Sequence, residues 1–175
     1  MIRNLVISAL IGLLGLSLHG CKWRVNTTIH DEFKPFYTEQ QVEGCCMIYD
    51  PQRRVAHAYN PSVVEQQFTP ASTFKIFNSL VGLETGIIPN IQYEIPWDSV
   101  LRANQAWNSD HDLQKAFKNS TVWYYQELAR RVGPLKMQYW LQKAKYGNAD
   151  TSGGIDQFWL KGGLRISVKE QIRFL

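Results

Sequence analysis

Ser72 and Lys75 stand three residues apart in the segment Pro70-Ala71-Ser72-Thr73-Phe74-Lys75. On a helix that spacing puts two side chains on one face, with Cβ atoms about 5–6 Å apart, so a hydroxyl and an amine can meet. Serine is a weak nucleophile until a base takes its proton. Lysine is charged at neutral pH until burial favours its neutral form, and Phe74 with nearby aromatic residues predicts that burial. If Ser72 opens the helix, its backbone N–H lies near the positive end of the helix dipole and can donate to an oxyanion. The chemistry implied is acyl transfer through serine with lysine as base. A serine and a lysine three apart also occur by chance in many helices, so the pair needs its surroundings to decide the matter.

Those surroundings read as strands followed by helices. Cys46-Met47-Ile48-Tyr49 and Arg53-Val55-His57-Tyr59 alternate as strands around the turn Asp50-Pro51-Gln52, which predicts a β-hairpin within residues 42–60. From Ser72 the pattern turns helical, with Phe74, Phe77, Leu80 and Val81 at three- and four-residue spacings, and Thr85-Gly86 stops the run. Residues 90–111 are loop-like. A second helix is predicted over 120–132, closed by Gly133, and Pro134 opens a third that runs to about Lys145. Tyr146-Gly147-Asn148 and Ser152-Gly153-Gly154 are turns, and a last helix begins near Ser167. Two strands cannot make an independently stable sheet. The expectation is an α+β domain with a helical lobe (66–175) and an incomplete antiparallel sheet whose C-terminal strands are absent.

Composition narrows the function classes. Of 175 residues, 45% are hydrophobic and 19% charged, a globular balance. The net charge of +4 is spread thinly along the chain, with Arg53-Arg54 and Arg130-Arg131 as the adjacent pairs, so a nucleic-acid partner is not expected. The four histidines (His19, His30, His57, His111) show no HxxxH or HxH spacing and CxxC is absent, so no metal site is expected. His111 reads as a structural hydrogen-bonder. Cys45 and Cys46, as strand neighbours, point to opposite faces and are not expected to pair.

Residues 1–20 read as a signal peptide, with Arg3 before an apolar run from Leu5 to Leu18. Leu18-His19-Gly20-Cys21 resembles a lipoprotein cleavage box, although His19 departs from it. Ordinary cleavage and lipid attachment at Cys21 therefore both stay open, and either places the mature chain outside the cytoplasm, in the periplasm. Residues 21–41 are expected to be an exposed lead-in to a domain over 42–175.

The segment around Ser72 resembles the active-site segment of class D (OXA-type) serine β-lactamases almost letter for letter. Ser120-Thr121-Val122 is similar to that family's S-x-V element, Tyr146-Gly147-Asn148 to its Y-G-N turn, and Gly153-Gly154-Ile155-Asp156 with Phe158-Trp159-Leu160 to its tryptophan-bearing loop. The resemblance covers residues 43–175 and implies the serine β-lactamase/penicillin-binding-protein fold. It implies hydrolysis of β-lactam rings, with Ser72 as acyl-forming nucleophile and Lys75 as base. Carbon dioxide carried on Lys75 as a carbamate would be the only added group. Trp159 would then hold that carbamate, Ser120 would relay a proton to the ring nitrogen, and Val122 would keep Lys75 dry as a core residue. Trp107 and Tyr146 would border the substrate.

The family's Lys-Thr-Gly or Lys-Ser-Gly strand, which supplies the second oxyanion donor, has no counterpart in these 175 residues. Removing one such donor typically costs roughly 3–4 kcal/mol of catalysis, so the 175-residue form alone is expected to be unstable or inactive. Three other readings share the Ser–Lys pair: a β-lactam sensor domain that keeps its acyl group, a cell-wall transpeptidase, and a non-enzymatic remnant. Sensors sit behind membrane spans and transpeptidases carry S-x-N where Ser120-Thr121-Val122 stands, so the hydrolase is favoured. The spectrum of substrates and the oligomeric state are not encoded in any motif.

Overall fold

A computed structural model describes residues 25–175. The expected signal peptide and Cys21 lie outside the described residues. Strand β1 (Asn26–Ile29) leads through a 3-10 turn (Asp31–Phe33) into the short helix α1 (Lys34–Thr38). The hairpin follows as β2 (Cys46–Asp50) and β3 (Val55–Tyr59), paired antiparallel with Cys46 opposite Tyr59 and Asp50 opposite Val55. Its turn is set by Asp50, whose Oδ1 accepts from the Gln52 and Arg53 backbone N–H groups at 2.9 and 3.0 Å, an Asx turn.

The sheet differs from the expected antiparallel one. Strand β1 pairs with β3 in parallel, giving the order β1-β3-β2 and a mixed sheet. The lead-in residues 26–29 are all exposed. A strand exposed along its whole length shows no apolar alternation, which is why the sequence pattern did not announce it.

Helix α2 (Pro61–Glu65) and the two-residue strand β4 (Gln67–Phe68) lead to a 3-10 turn (Ala71–Thr73) that opens α3 (Phe74–Glu84). A long loop over 85–112 contains one more 3-10 turn (Gln105–Trp107). Then come α4 (Leu113–Lys118), α5 (Val122–Val132) and α6 (Pro134–Ala144). Strand β5 (Ile166–Ser167) pairs with β4, and α7 (Val168–Phe174) closes the chain. Gly133, at φ +81°, ends α5 while Pro134 starts α6, the Gly-Pro junction that the sequence predicts. Ser167 and Glu170 form a capping box at the start of α7.

The core lies between α3, α5 and the 146–166 segment. Phe74 is fully buried and stacks on Trp159 (centroids 5.0 Å apart, 25° between planes) and on Phe77 (5.5 Å, 28°), with Phe158 and Tyr146 edge-on. Gly82 lets α3 approach α5: a Cβ there would lie 2.9 Å from Leu128 Cδ1. Leu80 is 52% exposed although it shares the helical spacing. The Tyr146-Gly147-Asn148 turn clasps the 163–165 segment. Asn148 Nδ2 donates to the Gly163 carbonyl (2.9 Å) and its Oδ1 accepts from the Arg165 N–H (2.9 Å). Gly147 has φ +53° and its ideal Cβ would collide with the Arg165 carbonyl, so only glycine fits there.

Candidate active site

Lys75 occupies the second position of α3 and is only 3% exposed, whereas Ser72, one turn earlier, is open to solvent. The amine Nζ lies 3.0 Å from Ser72 Oγ, 2.5 Å from Ser120 Oγ and 2.8 Å from the Ser120 carbonyl oxygen. The two hydroxyl oxygens are 3.4 Å apart. An ammonium satisfies all three contacts with its three hydrogens. A neutral amine has two hydrogens and a lone pair. The carbonyl can only accept, so the lone pair must face one of the two hydroxyls and take a hydrogen bond from it. Loss of one proton thus converts Lys75 into a base already aimed at serine.

Burial lowers the Lys75 pKa from the ordinary lysine value. The N-terminal end of α3 disfavours a positive charge in the same sense. Opposing both, the face of Tyr125 lies 5.7 Å from Nζ and offers a weak cation–π contact. Tyr125 is itself fully buried, and its hydroxyl, 3.1 Å from Ser79 Oγ, is pushed up to about 12 by that burial. The aromatic ring beneath the amine is therefore Tyr125, not Phe74, whose ring packs among Trp159, Phe158 and Tyr146. The sequence held one signal for it: Tyr125 follows Val122 by one helical turn on α5.

Ser120 reaches Lys75 because its backbone is left-handed, at φ +51°. Non-glycine residues seldom adopt that region, and they cluster at functional sites when they do. The turn brings carbonyl and hydroxyl of one residue to the same amine. Ser120 does not cap α5, whose N-cap is Thr121. We expect Ser120→Ala to keep the carbonyl contact, lose the hydroxyl path, and slow acyl transfer by about 10²-fold. An unchanged rate of acyl transfer would remove Ser120 from the proton path.

The other expected site residues divide. Trp159 is buried with its indole flat against Phe74. Its carbonyl accepts from the Ala71 N–H at 3.0 Å, so it ties the 159 loop to the residue before Ser72. Val122 is half-buried at the first position of α5, rather than the core residue expected. Trp107 is half-buried. Its indole N–H donates to the Asn119 carbonyl (3.0 Å) and its own carbonyl accepts from Trp123 Nε1 (2.8 Å), so it braces the residue preceding Ser120. Tyr146, expected beside the substrate, is instead wholly buried behind α3, where its hydroxyl bonds Gln171 (3.1 Å). It packs against Phe74 and Phe77 because those rings need an apolar cover. His111 is buried and hydrogen-bonded through Nδ1 to the Ser109 carbonyl at 2.7 Å. Cys45 and Cys46 are free thiols, both half-buried.

The arrangement brings two hydroxyls and a desolvated amine to one point. Residues 44–175 match the model of the penicillin binding protein transpeptidase domain. The chain belongs to that family. Among sequence relatives of this transpeptidase-family chain, probable beta-lactamase YbxI of Bacillus subtilis is 38% identical over 97% of the chain and 64% of its own length. The regulatory protein BlaR1 of Bacillus licheniformis is 34% identical over 83% of the chain and 24% of its own length. A solved class D beta-lactamase, YbXI from Nostoc, superposes with a TM-score of 0.77 at 43% identity, covering 79% of this chain and 59% of that one. The chain thus spans under two thirds of the length of its β-lactamase relatives.

Proposed function

We propose that the protein hydrolyses β-lactam antibiotics through an acyl-serine, as a class D β-lactamase. The observation that carries this reading is the placement of Lys75 Nζ, buried, within 3.0 Å of both Ser72 Oγ and Ser120 Oγ. Neutral Lys75 takes the Ser72 proton as Oγ attacks the lactam carbonyl carbon. The carbonyl C–N bond breaks, and the ring nitrogen receives a proton through the Ser120 hydroxyl, which is refilled from Lys75. Water then attacks the ester carbonyl while Lys75 accepts its proton. The carbonyl–Oγ bond breaks, Ser72 is reprotonated, and a ring-opened acid leaves. The Phe74 and Thr73 N–H groups donate to the Ala71 and Pro70 carbonyls, so the Ser72 backbone N–H in the turn that opens α3 is the donor proposed for the developing oxyanion.

Carbon dioxide fits the same point. Burial disfavours the charged amine, and two hydroxyls that can donate lie beside it, with Trp159 next to Phe74. When added to that amine it would supply an anionic base. Ser72, Ser120 and the Trp159 indole N–H are the groups proposed to hold it. The leader read in residues 1–20 supports action outside the cytoplasm.

Initial rates of ring opening with benzylpenicillin test the proposal. A form spanning the full length of its β-lactamase relatives should turn the drug over, Ser72→Ala in that form should not, and added bicarbonate should raise the rate at low carbon dioxide, while the 175 residues alone are expected to be unstable or inactive. Turnover by Ser72→Ala at the parent's rate would refute the serine route. The match to BlaR1 favours one alternative, a receptor that is acylated at Ser72 without release. Stoichiometric ring opening followed by arrest is its signature.

A further inference from the structure

His30 follows β1 directly, and His57 lies in β3 opposite Thr28. The His30 N–H donates to the Ala58 carbonyl at 2.8 Å, which fixes the two chains side by side. The His30 ring is then held on three sides. It stacks on Phe33 (centroids 5.1 Å apart, 12° between planes), its Nδ1 lies 2.6 Å from Glu32 Oε1, and its Nε2 lies 2.8 Å from His57 Nδ1. A carboxylate can only accept, so His30 Nδ1 carries the hydrogen. When the ring is neutral, Nε2 is a lone pair aimed at His57 Nδ1.

We propose that His30 and His57 form a binding site for a divalent late transition metal, copper(II) above all, with Glu32 orienting His30 from behind. Imidazole binds such ions at about 2.0 Å, so for an ion to enter between nitrogens that now lie 2.8 Å apart the exposed His57 ring must swing back from the His30 Nε2 axis. Among first-row divalent ions copper(II) binds nitrogen ligands most tightly, which makes it the ion best able to hold with two imidazoles. A ligating histidine backed by a carboxylate on its far nitrogen is the usual support of a metal site. To receive the ion, His57 moves its ring hydrogen from Nδ1 to Nε2, and being exposed it can do so through water. Among the described residues no three His, Cys, Asp or Glu side chains converge on one point, so water fills the other positions. The site sits on β1 and β3, which supply no residue to the Ser72–Lys75–Ser120 cluster. Its occupancy would clamp the exposed strand β1 to the sheet.

Copper(II) titrated into the whole protein tests this, in a Cys45→Ser/Cys46→Ser background that removes competing thiols. We expect one equivalent bound, with electron paramagnetic resonance hyperfine lines from two nitrogens. His30→Ala and His57→Ala should each lose one nitrogen and weaken binding at least tenfold. Glu32→Gln should keep both nitrogens and weaken binding about 10- to 100-fold. Parent affinity in both histidine variants, or a spectrum without imidazole nitrogen, would show that the ring contact is a hydrogen bond only. Parent affinity in Glu32→Gln would remove the orienting role. Penicillin turnover is a separate readout and should not change in His57→Ala.

Discussion

Lys75→Ala should slow acylation of Ser72 by about 10²- to 10⁴-fold, the usual worth of a positioned general base, without unfolding the protein. Among the described residues the geometry offers no substitute. The described side chains that bond Ser72 Oγ are the Lys75 amine and the Ser120 hydroxyl, and a neutral hydroxyl is no base. The pH profile carries the same signature. Burial lowers the Lys75 pKa, so the neutral, reactive form accumulates as pH rises through that lowered value, and acylation should reach its plateau below the ordinary lysine range. In Lys75→Ala this rise should vanish. Linkage gives stability the matching sign. The folded pKa lies below the unfolded one, so the cost of housing the charge is full below the folded pKa and gone above the unfolded one. Lys75→Met, which removes the charge and keeps the volume, should therefore be as stable as the parent at neutral pH, or more so. Stopped-flow acylation and thermal unfolding of the two variants check both halves.

Phe74→Ala should destabilise the fold by about 3–5 kcal/mol, the range for a large aromatic side chain removed from a packed core. For a domain of this size that lowers the melting temperature by roughly 6–20 °C. Phe74 is fully buried and joins α3 to the loop carrying Phe158 and Trp159. Its loss opens a cavity directly behind the helix that presents Ser72 and Lys75. Calorimetry measures the shift, and Phe74→Leu, which fills most of the space, should recover much of it. A fall of under 1 kcal/mol for Phe74→Ala would mean that these rings do not hold the helix in place.

What could be read from the sequence followed from local rules. Helical spacing joined Ser72 to Lys75, turn residues marked the β2–β3 hairpin, and Gly133-Pro134 marked the α5–α6 junction. What could not be read depended on contacts distant in sequence or on unusual backbone. No local signal tells that Ser120 is left-handed, yet that turn delivers its hydroxyl to Lys75. The Tyr125 ring comes under the amine only when α3 and α5 pack. Tyr146 reads as a cleft residue from its motif, but the neighbouring rings of Phe74 and Phe77 draw it inward. Helix α4 is six residues long, too short for its apolar spacing to stand out. Its N-cap is Asp112, whose side chain accepts from the Lys115 N–H.

The most direct measurement is time-resolved mass spectrometry of a form spanning the full length of its β-lactamase relatives, mixed with benzylpenicillin. The account predicts a mass gain equal to one whole drug molecule, mapped to the peptide that carries Ser72, appearing and then decaying as ring-opened product accumulates. A protein that never gains that mass while the drug is consumed, or that gains it on a peptide without Ser72, would contradict the serine–lysine site at its root.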